Sequence, residues 1–303
     1  MTDRGLRTVL CVLMLAVVGY AAACTADGGR KVPDPSRQPP RTAGVGPSAA
    51  DGLGSAPASA SATASPPAAS GWWRPTVGMT WQWQLTGTLD KNVEAEVYDV
   101  DGENTSTADV AALRAKGRRV ICYVNVGAHE DFRADAKNFP ESVQGKGLDG
   151  WPGEKWLDVR RWDVLEPLLA ARFTTCRDKG FDAVEPDNVD AYSNDSGFPL
   201  SAADQLTFNR RVADLAHRHG LAVGLKNDVE QARELAPLFD FAVNEECARY
   251  DECDALKVFT DAGKPVFHVE YDGSTASFCP KAKSLRFSSM KKNLDLDAWR
   301  APC

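Results

Sequence analysis

Histidine is scarce in this chain: only four occur among 303 residues, and none is spaced from a second ligand as a metal site requires. No metal or other cofactor is therefore expected. Lysine and arginine form no cluster with interleaved aromatics, which sets nucleic acid aside as a partner. The apolar run near the start, Val9 to Val18, is about ten residues, against the roughly 20 a helix needs to span a bilayer. A permanent transmembrane anchor is accordingly disfavoured. From Thr25 to Ser70 large apolar side chains are nearly absent, so nothing there can offset the entropy of ordering.

What the first residues do contain is Arg4 and Arg7, then the apolar run, then small residues up to Ala23 and Cys24. Positive, apolar, small is the order of a secretory signal, expected over residues 1–23. Cleavage just before Cys24 would leave a thiol able to carry lipid and tether the protein to a membrane. Ordinary signal cleavage would release it, secreted and extracellular. Residues 24–71 are expected to form a disordered Ala/Pro/Ser-rich linker, and residues 72–303 a single folded domain.

The chain holds 35 basic and 42 acidic residues; residues 1–71 carry 6 and 4 of them, leaving 29 and 38 and a net charge of -9 in the domain. An acidic domain suits a neutral or cationic ligand if the charge faces the site. Acidity that merely keeps an exported protein soluble is the plainer alternative. The domain also has six cysteines, Cys122, Cys176, Cys247, Cys253, Cys279 and Cys303, an even number that predicts three disulfides in an oxidising compartment. Cys247 and Cys253 flank a short acidic loop, Cys279 can tie the last βα loop to the carboxyl end, and Cys122 with Cys176 remain as the third pair.

Short β-like apolar runs alternate with helix-like stretches eight times, the pattern of parallel strands joined by crossover helices. Strands are expected at 80–85, 95–100, 119–126, 182–187, 222–227, 241–245, 266–270 and 285–289. Helices are expected at 106–116, 164–179, 201–219 and 228–235, with Gly117, Gly180, Gly220 and Gly263 placed to end helices. The fold class is α/β, a (β/α)8 TIM barrel in one catalytic domain, with an open doubly wound sheet as the alternative. Closure is favoured because most of these strands end in polar residues of the kind that converge at the carboxyl-terminal face of a barrel.

The densest stretch is Gly180 to Tyr192, where period two places Ala183, Glu185 and Asp187 on one side of a strand. If that side faces the barrel axis, Glu185 lies one layer below Asp187 and needs a partner, for which Lys226 is placed. Two strands on, Asn244-Glu245-Glu246-Cys247 ends another apolar run. Asp187 and Glu245 would then approach a bond between two sugars from opposite sides, as glycoside hydrolysis requires. A solvated acidic rim is the alternative. Tyr123 and Tyr192 are the favoured sugar contacts, and Asp99, Glu185, Lys226 and Glu270, at or near strand ends, are further substrate-binding candidates.

Several motifs in order, Trp81-Gln82-Trp83-Gln84, Val97-Tyr98-Asp99-Val100-Asp101, Val120-Ile121-Cys122-Tyr123, Trp156-Leu157-Asp158-Val159-Arg160, Gly180 to Tyr192 and Asn244 to Cys247, resemble the glycoside hydrolase 114 family, the endo-α-1,4-polygalactosaminidases. The resemblance covers nearly all of 72–303. It implies a (β/α)8 barrel cutting α-1,4-linked galactosamine polymers internally, with Asp187 and Glu245 as the catalytic pair. Asp187 would be the nucleophile and Glu245 the general acid/base of a retaining enzyme. The expected partner is a cationic or partly acetylated polysaccharide. Another α-linked hexosamine or galactose glycan, or a noncatalytic glycan-binding role, are the alternatives.

Overall fold

The computed structural model describes residues 71–303; the expected signal, Cys24 and all but the last residue of the expected linker lie outside them. Eight parallel strands form the inner layer: β1 (Trp81–Gln84), β2 (Val97–Asp101), β3 (Arg119–Asn125), β7 (Ala183–Asp187), β8 (Ala222–Lys226), β9 (Phe241–Glu245), β10 (Val266–Glu270) and β11 (Ser288–Lys292), paired in that order. Helices α1 (Thr107–Ala115), α2 (Trp162–Lys179), α3 (Ala202–Arg218), α4 (Ala232–Leu235), α5 (Lys257–Asp261) and α6 (Thr275–Ser284) lie along the connections. This is the (β/α)8 barrel expected, not an open sheet.

Closure between β11 and β1 is made by the segment after β11. Strand β12 (Arg300–Pro302) runs antiparallel to β11, while the Leu85 and Thr86 amides donate to the Leu296 carbonyl. Trp81 Nε1 reaches the Ser288 carbonyl at 2.9 Å. The Cys279–Cys303 disulfide fastens this segment to α6, and Cys122–Cys176 joins β3 to α2; with Cys247–Cys253 these are the three pairs expected.

Period two sorts the side chains into two cores. Trp81, Trp83, Val97, Ile121, Ala183, Ala222, Phe241, Val243, Phe267, Val269 and Met290 fill the barrel, whereas Val100, Val120, Cys122, Val184 and Val223 face the helices and meet Leu169, Phe173, Phe208 and Val212. Each fully buried Leu, Val or Phe contributes about 1.5–3 kcal/mol of transfer free energy. Gly224 lacks a side chain for a spatial reason: a Cβ there would sit 2.3 Å from Cε2 of Phe241. Helix α3 starts at a capping box in which Ser201 and Asp204 satisfy each other's amides, an end that contributes about 1 kcal/mol.

Two features depart from expectation. The last barrel strand begins at Ser288, not Leu285, because Leu285 caps α6 and Arg286 turns the chain at a φ of 61°. No glycine marks that turn, and the apolar Leu285 and Phe287 imitate a strand. The chain also builds a second, three-stranded antiparallel sheet after β3, from β4 (Ala128–Glu130), β5 (Gln144–Leu148) and β6 (Trp151–Leu157), in the order β4-β6-β5. Its strands hold Gly145, Gly147, Gly153 and Pro152 and lack apolar alternation. The one legible sign is Asp149-Gly150, with Gly150 at a φ of 83°, a residue pair suited to a hairpin turn.

Candidate active site

Three neighbouring strands end alike. Asp187, Lys226 and Glu245 are the last residues of β7, β8 and β9, and each is followed by a left-handed residue: Asn188 (φ 61°), Asn227 (φ 50°) and Glu246 (φ 62°). Such backbone is costly away from glycine and turns the chain sharply off the strand. The three charged side chains therefore stay on the inward face, level with the mouth. The same turn sends Glu246 outward to Arg249 at 2.7 Å, so only Glu245 of the adjacent pair faces the barrel axis.

Lys226 is the centre of the cluster. Its Nζ lies 2.9 Å from Asp187 Oδ1, 3.1 Å from Glu245 Oε2 and 3.4 Å from Glu185 Oε1, and 5.0 Å over the Trp83 ring. Tyr123 Oη donates to Asp187 Oδ2 at 2.8 Å. Tyr271 Oη donates to Glu245 Oε1, and Asn227 Nδ2 to Glu245 Oε2 at 3.1 Å. Burial alone would raise the Asp187 carboxyl, but Lys226 and Tyr123 outweigh it and hold it below the usual carboxylate range. Burial likewise opposes the ammonium of Lys226, yet the carboxylates of Asp187, Glu245 and Glu185 keep it well above the ordinary lysine value. Burial and the neighbouring carboxylates hold both tyrosines in the neutral, donating form.

The substrate-binding candidates separate by depth. Tyr123 and Lys226 join Asp187 and Glu245. Tyr192 sits in the short helical turn after β7, its hydroxyl donating to Glu230 at 3.0 Å. Asp99 and Glu185 are 0% exposed, beneath the mouth, and cannot meet a substrate without displacing the layer above them. Glu270 also differs from expectation. Period two places Phe267, Val269 and Tyr271 inward, so Glu270 points outward to His268 Nε2 and the Ala248 amide, both at 2.8 Å. It braces the loop after β9 and does not line the mouth.

Tyr271 and Asn227 complete the site without having been placed among its candidates, although Asn227 follows a polar strand end and Tyr271 lies one inward step beyond Val269. The second sheet supplies another. Glu154 on β6 comes within 3.5 Å of Asn125 Nδ2, and burial with the charges of Glu130 and Asp187 pushes its carboxyl up to about 7. Asp190 is pushed to about 6 by burial and Asp187. The mouth thus carries acidic groups in excess of its one buried lysine. The three-residue Cys247, Cys253 and His268 grouping is no metal site, since its two sulfurs are bonded to each other.

A (β/α)8 barrel with carboxylates gathered at the carboxyl ends of its strands has the architecture of a barrel glycoside hydrolase. The model of glycoside-hydrolase family GH114 matches residues 62–303, and the chain belongs to that family. The crystal structure of Ega3 from Aspergillus fumigatus, in complex with galactosamine, is 39% identical, covers 76% of this chain and 97% of its own, and superposes with a TM-score of 0.73. The glycoside hydrolase domain of PelA from Pseudomonas aeruginosa covers 73% of this chain and 96% of its own at 17% identity and a TM-score of 0.56, a likeness of fold alone. An uncharacterized protein of Deinococcus radiodurans is 27% identical over 243 residues, 69% of this chain and 78% of its own. The protein is therefore a glycoside hydrolase.

Proposed function

We propose that the protein is an endo-α-1,4-polygalactosaminidase in which Asp187 is the nucleophile and Glu245 the general acid/base. The observation that carries the pair is their common contact with Lys226. Oxygens 2.9 and 3.1 Å from one nitrogen are at most about 6 Å apart, which favours the gap of about 5–5.5 Å in retaining enzymes over about 6.5–9.5 Å in inverting ones. Asp187, kept ionised by Lys226 and Tyr123, attacks the anomeric carbon as the glycosidic C–O bond breaks. Glu245 gives its proton to the leaving oxygen. In the second step Glu245 takes a proton from water, whose oxygen displaces Asp187 and restores both groups.

Galactosamine as the sugar is supported by the likeness to Ega3, solved with that molecule, and by the acidic mouth, which suits free ammonium groups. Reducing-end release from partly deacetylated α-1,4-galactosaminogalactan is the test. The protein should cut it, and Asp187→Asn and Glu245→Gln should each lower kcat by at least about 10³-fold. Binding without cleavage by the parent protein would refute the reading. The three disulfides fit an oxidising, extracellular setting. A lipid tether through Cys24 belongs to the same proposal: Cys24→Ser should move the protein from the membrane fraction to the medium.

A further inference from the structure

Beneath the reacting layer lies a second pair of carboxyl groups. Asp99 of β2 and Glu185 of β7 are both 0% exposed, and their side chains stand within hydrogen-bonding reach of each other across the barrel interior. With both ionised, none of their four oxygens has a hydrogen-bond donor among the described residues. Among the described residues the one cation in reach is Lys226, 3.4 Å from Glu185 Oε1, and it is already shared with Asp187 and Glu245. Asp99, Glu185 and Asp187 ionised around a single ammonium in a buried interior would leave two negative charges uncompensated, and three whenever Glu245 has given up its proton, which a barrel core cannot sustain.

We propose that Asp99 and Glu185 retain a proton between them at neutral pH and act as a positioning pair, holding Lys226 so that its charge stays with Asp187 and Glu245. A proton on one carboxyl turns it into a donor to the other. That satisfies the orphaned oxygens and removes a competitor for the ammonium. The groups facing the pair are Lys226 on β8 and Asp187 on β7, with Tyr123 on β3 and Tyr271 after β10 beside Glu185, while Glu245 on β9 and the Trp83 ring on β1 lie against Lys226. None but Lys226 is cationic, so no other group can neutralise the pair. Burial pushes Asp99 up to about 7 and Glu185 well above its ordinary value, in the same direction. Being buried, both act on kcat through Lys226, not on KM through the sugar.

The role in catalysis rests on Asp187 and Glu245 being the reacting pair; the shared proton does not, and it is measured separately. Infrared spectra of the full chain at neutral pH should show a protonated-carboxyl C=O band that is reduced in Asp99→Asn and in Glu185→Gln. An absent band, or one unchanged in both variants, overturns the shared proton. In kinetics, Asp99→Asn keeps a donor toward Glu185 and should retain kcat to within about 10-fold, while Asp99→Leu should lose about 100-fold or more with KM unchanged. Equal losses in Asn and Leu variants that melt like the parent, or a rise in KM, would overturn the positioning role.

Discussion

Replacing Lys226 by methionine should destabilise the protein in a way that depends on pH. In the parent, Asp187 sits below its ordinary pKa, so its contribution is present above about pH 4 and is lost as pH falls through the lower folded value. Lys226 is held above its ordinary value, so its contribution is complete below about pH 10.5 and is lost only as pH rises through the higher folded value. Between those limits the Asp187 and Lys226 pair contributes a constant amount. Methionine keeps most of the volume over Trp83 but removes the charge, and burial then acts on Asp187 opposed only by the Tyr123 hydroxyl and the Asn188 backbone. Its folded pKa moves above the unfolded one, and folded-state stability falls with rising pH by up to about 1.4 kcal/mol per unit for each such proton. Removing one partner of a buried pair costs about 3–5 kcal/mol when the other stays charged. Urea unfolding of both proteins, disulfides intact, should give a gap of that size near pH 8 that shrinks by at least about 2 kcal/mol near pH 4.5. A gap that does not change with pH would mean that lost packing, not lost charge, is what matters, and would refute the assignment of Lys226 as the cluster's counter-charge.

Three further outcomes follow from the same geometry. Tyr123→Phe and Tyr271→Phe each delete one donor to a carboxylate while leaving the ring, so each should lower kcat by about 10- to 100-fold, the equivalent of about 1.5–3 kcal/mol, with the thermal midpoint nearly unchanged. Raising ionic strength should increase KM more than it lowers kcat, because the acidic mouth draws a cationic polymer from a distance; steady-state kinetics from low to high salt would contradict this if KM stayed constant. Gly224→Ala should cost about 1–3 kcal/mol in unfolding experiments, since the new methyl meets the Phe241 ring inside ordinary contact distance.

Where local pattern and tertiary role coincide, the architecture was legible. Strands β9 and β10 fall where apolar runs flanked by turn residues placed them, and Gly117, Gly180, Gly220 and Gly263 all carry the positive φ expected at helix ends. The Asp187 and Glu245 positions were readable because both end apolar strands whose period points them inward. Glu270 failed the same logic by one residue, since its strand turns odd-numbered residues to the axis. The second sheet was not legible, because glycine and proline carry no periodicity and its strands pair only with one another. Depth was legible where two carboxylates share one strand: period two set Glu185 one layer below Asp187, with Lys226 as its partner. For Asp99, near the end of its expected strand, a sealed carboxylate looked the same as one lining the mouth.

That second sheet divides the labour of the molecule. Glu154 and Glu130 reach the neighbourhood of Asp187 from a segment that leaves the barrel after Asn125 and returns through the Leu157 amide to the Gly127 carbonyl at 2.9 Å. The barrel strands supply Asp187, Lys226 and Glu245 without it. One wall of the mouth thus stands outside the barrel's hydrogen-bonded register, and is held to the main core by the buried side chains of Phe139, Val143 and Leu157.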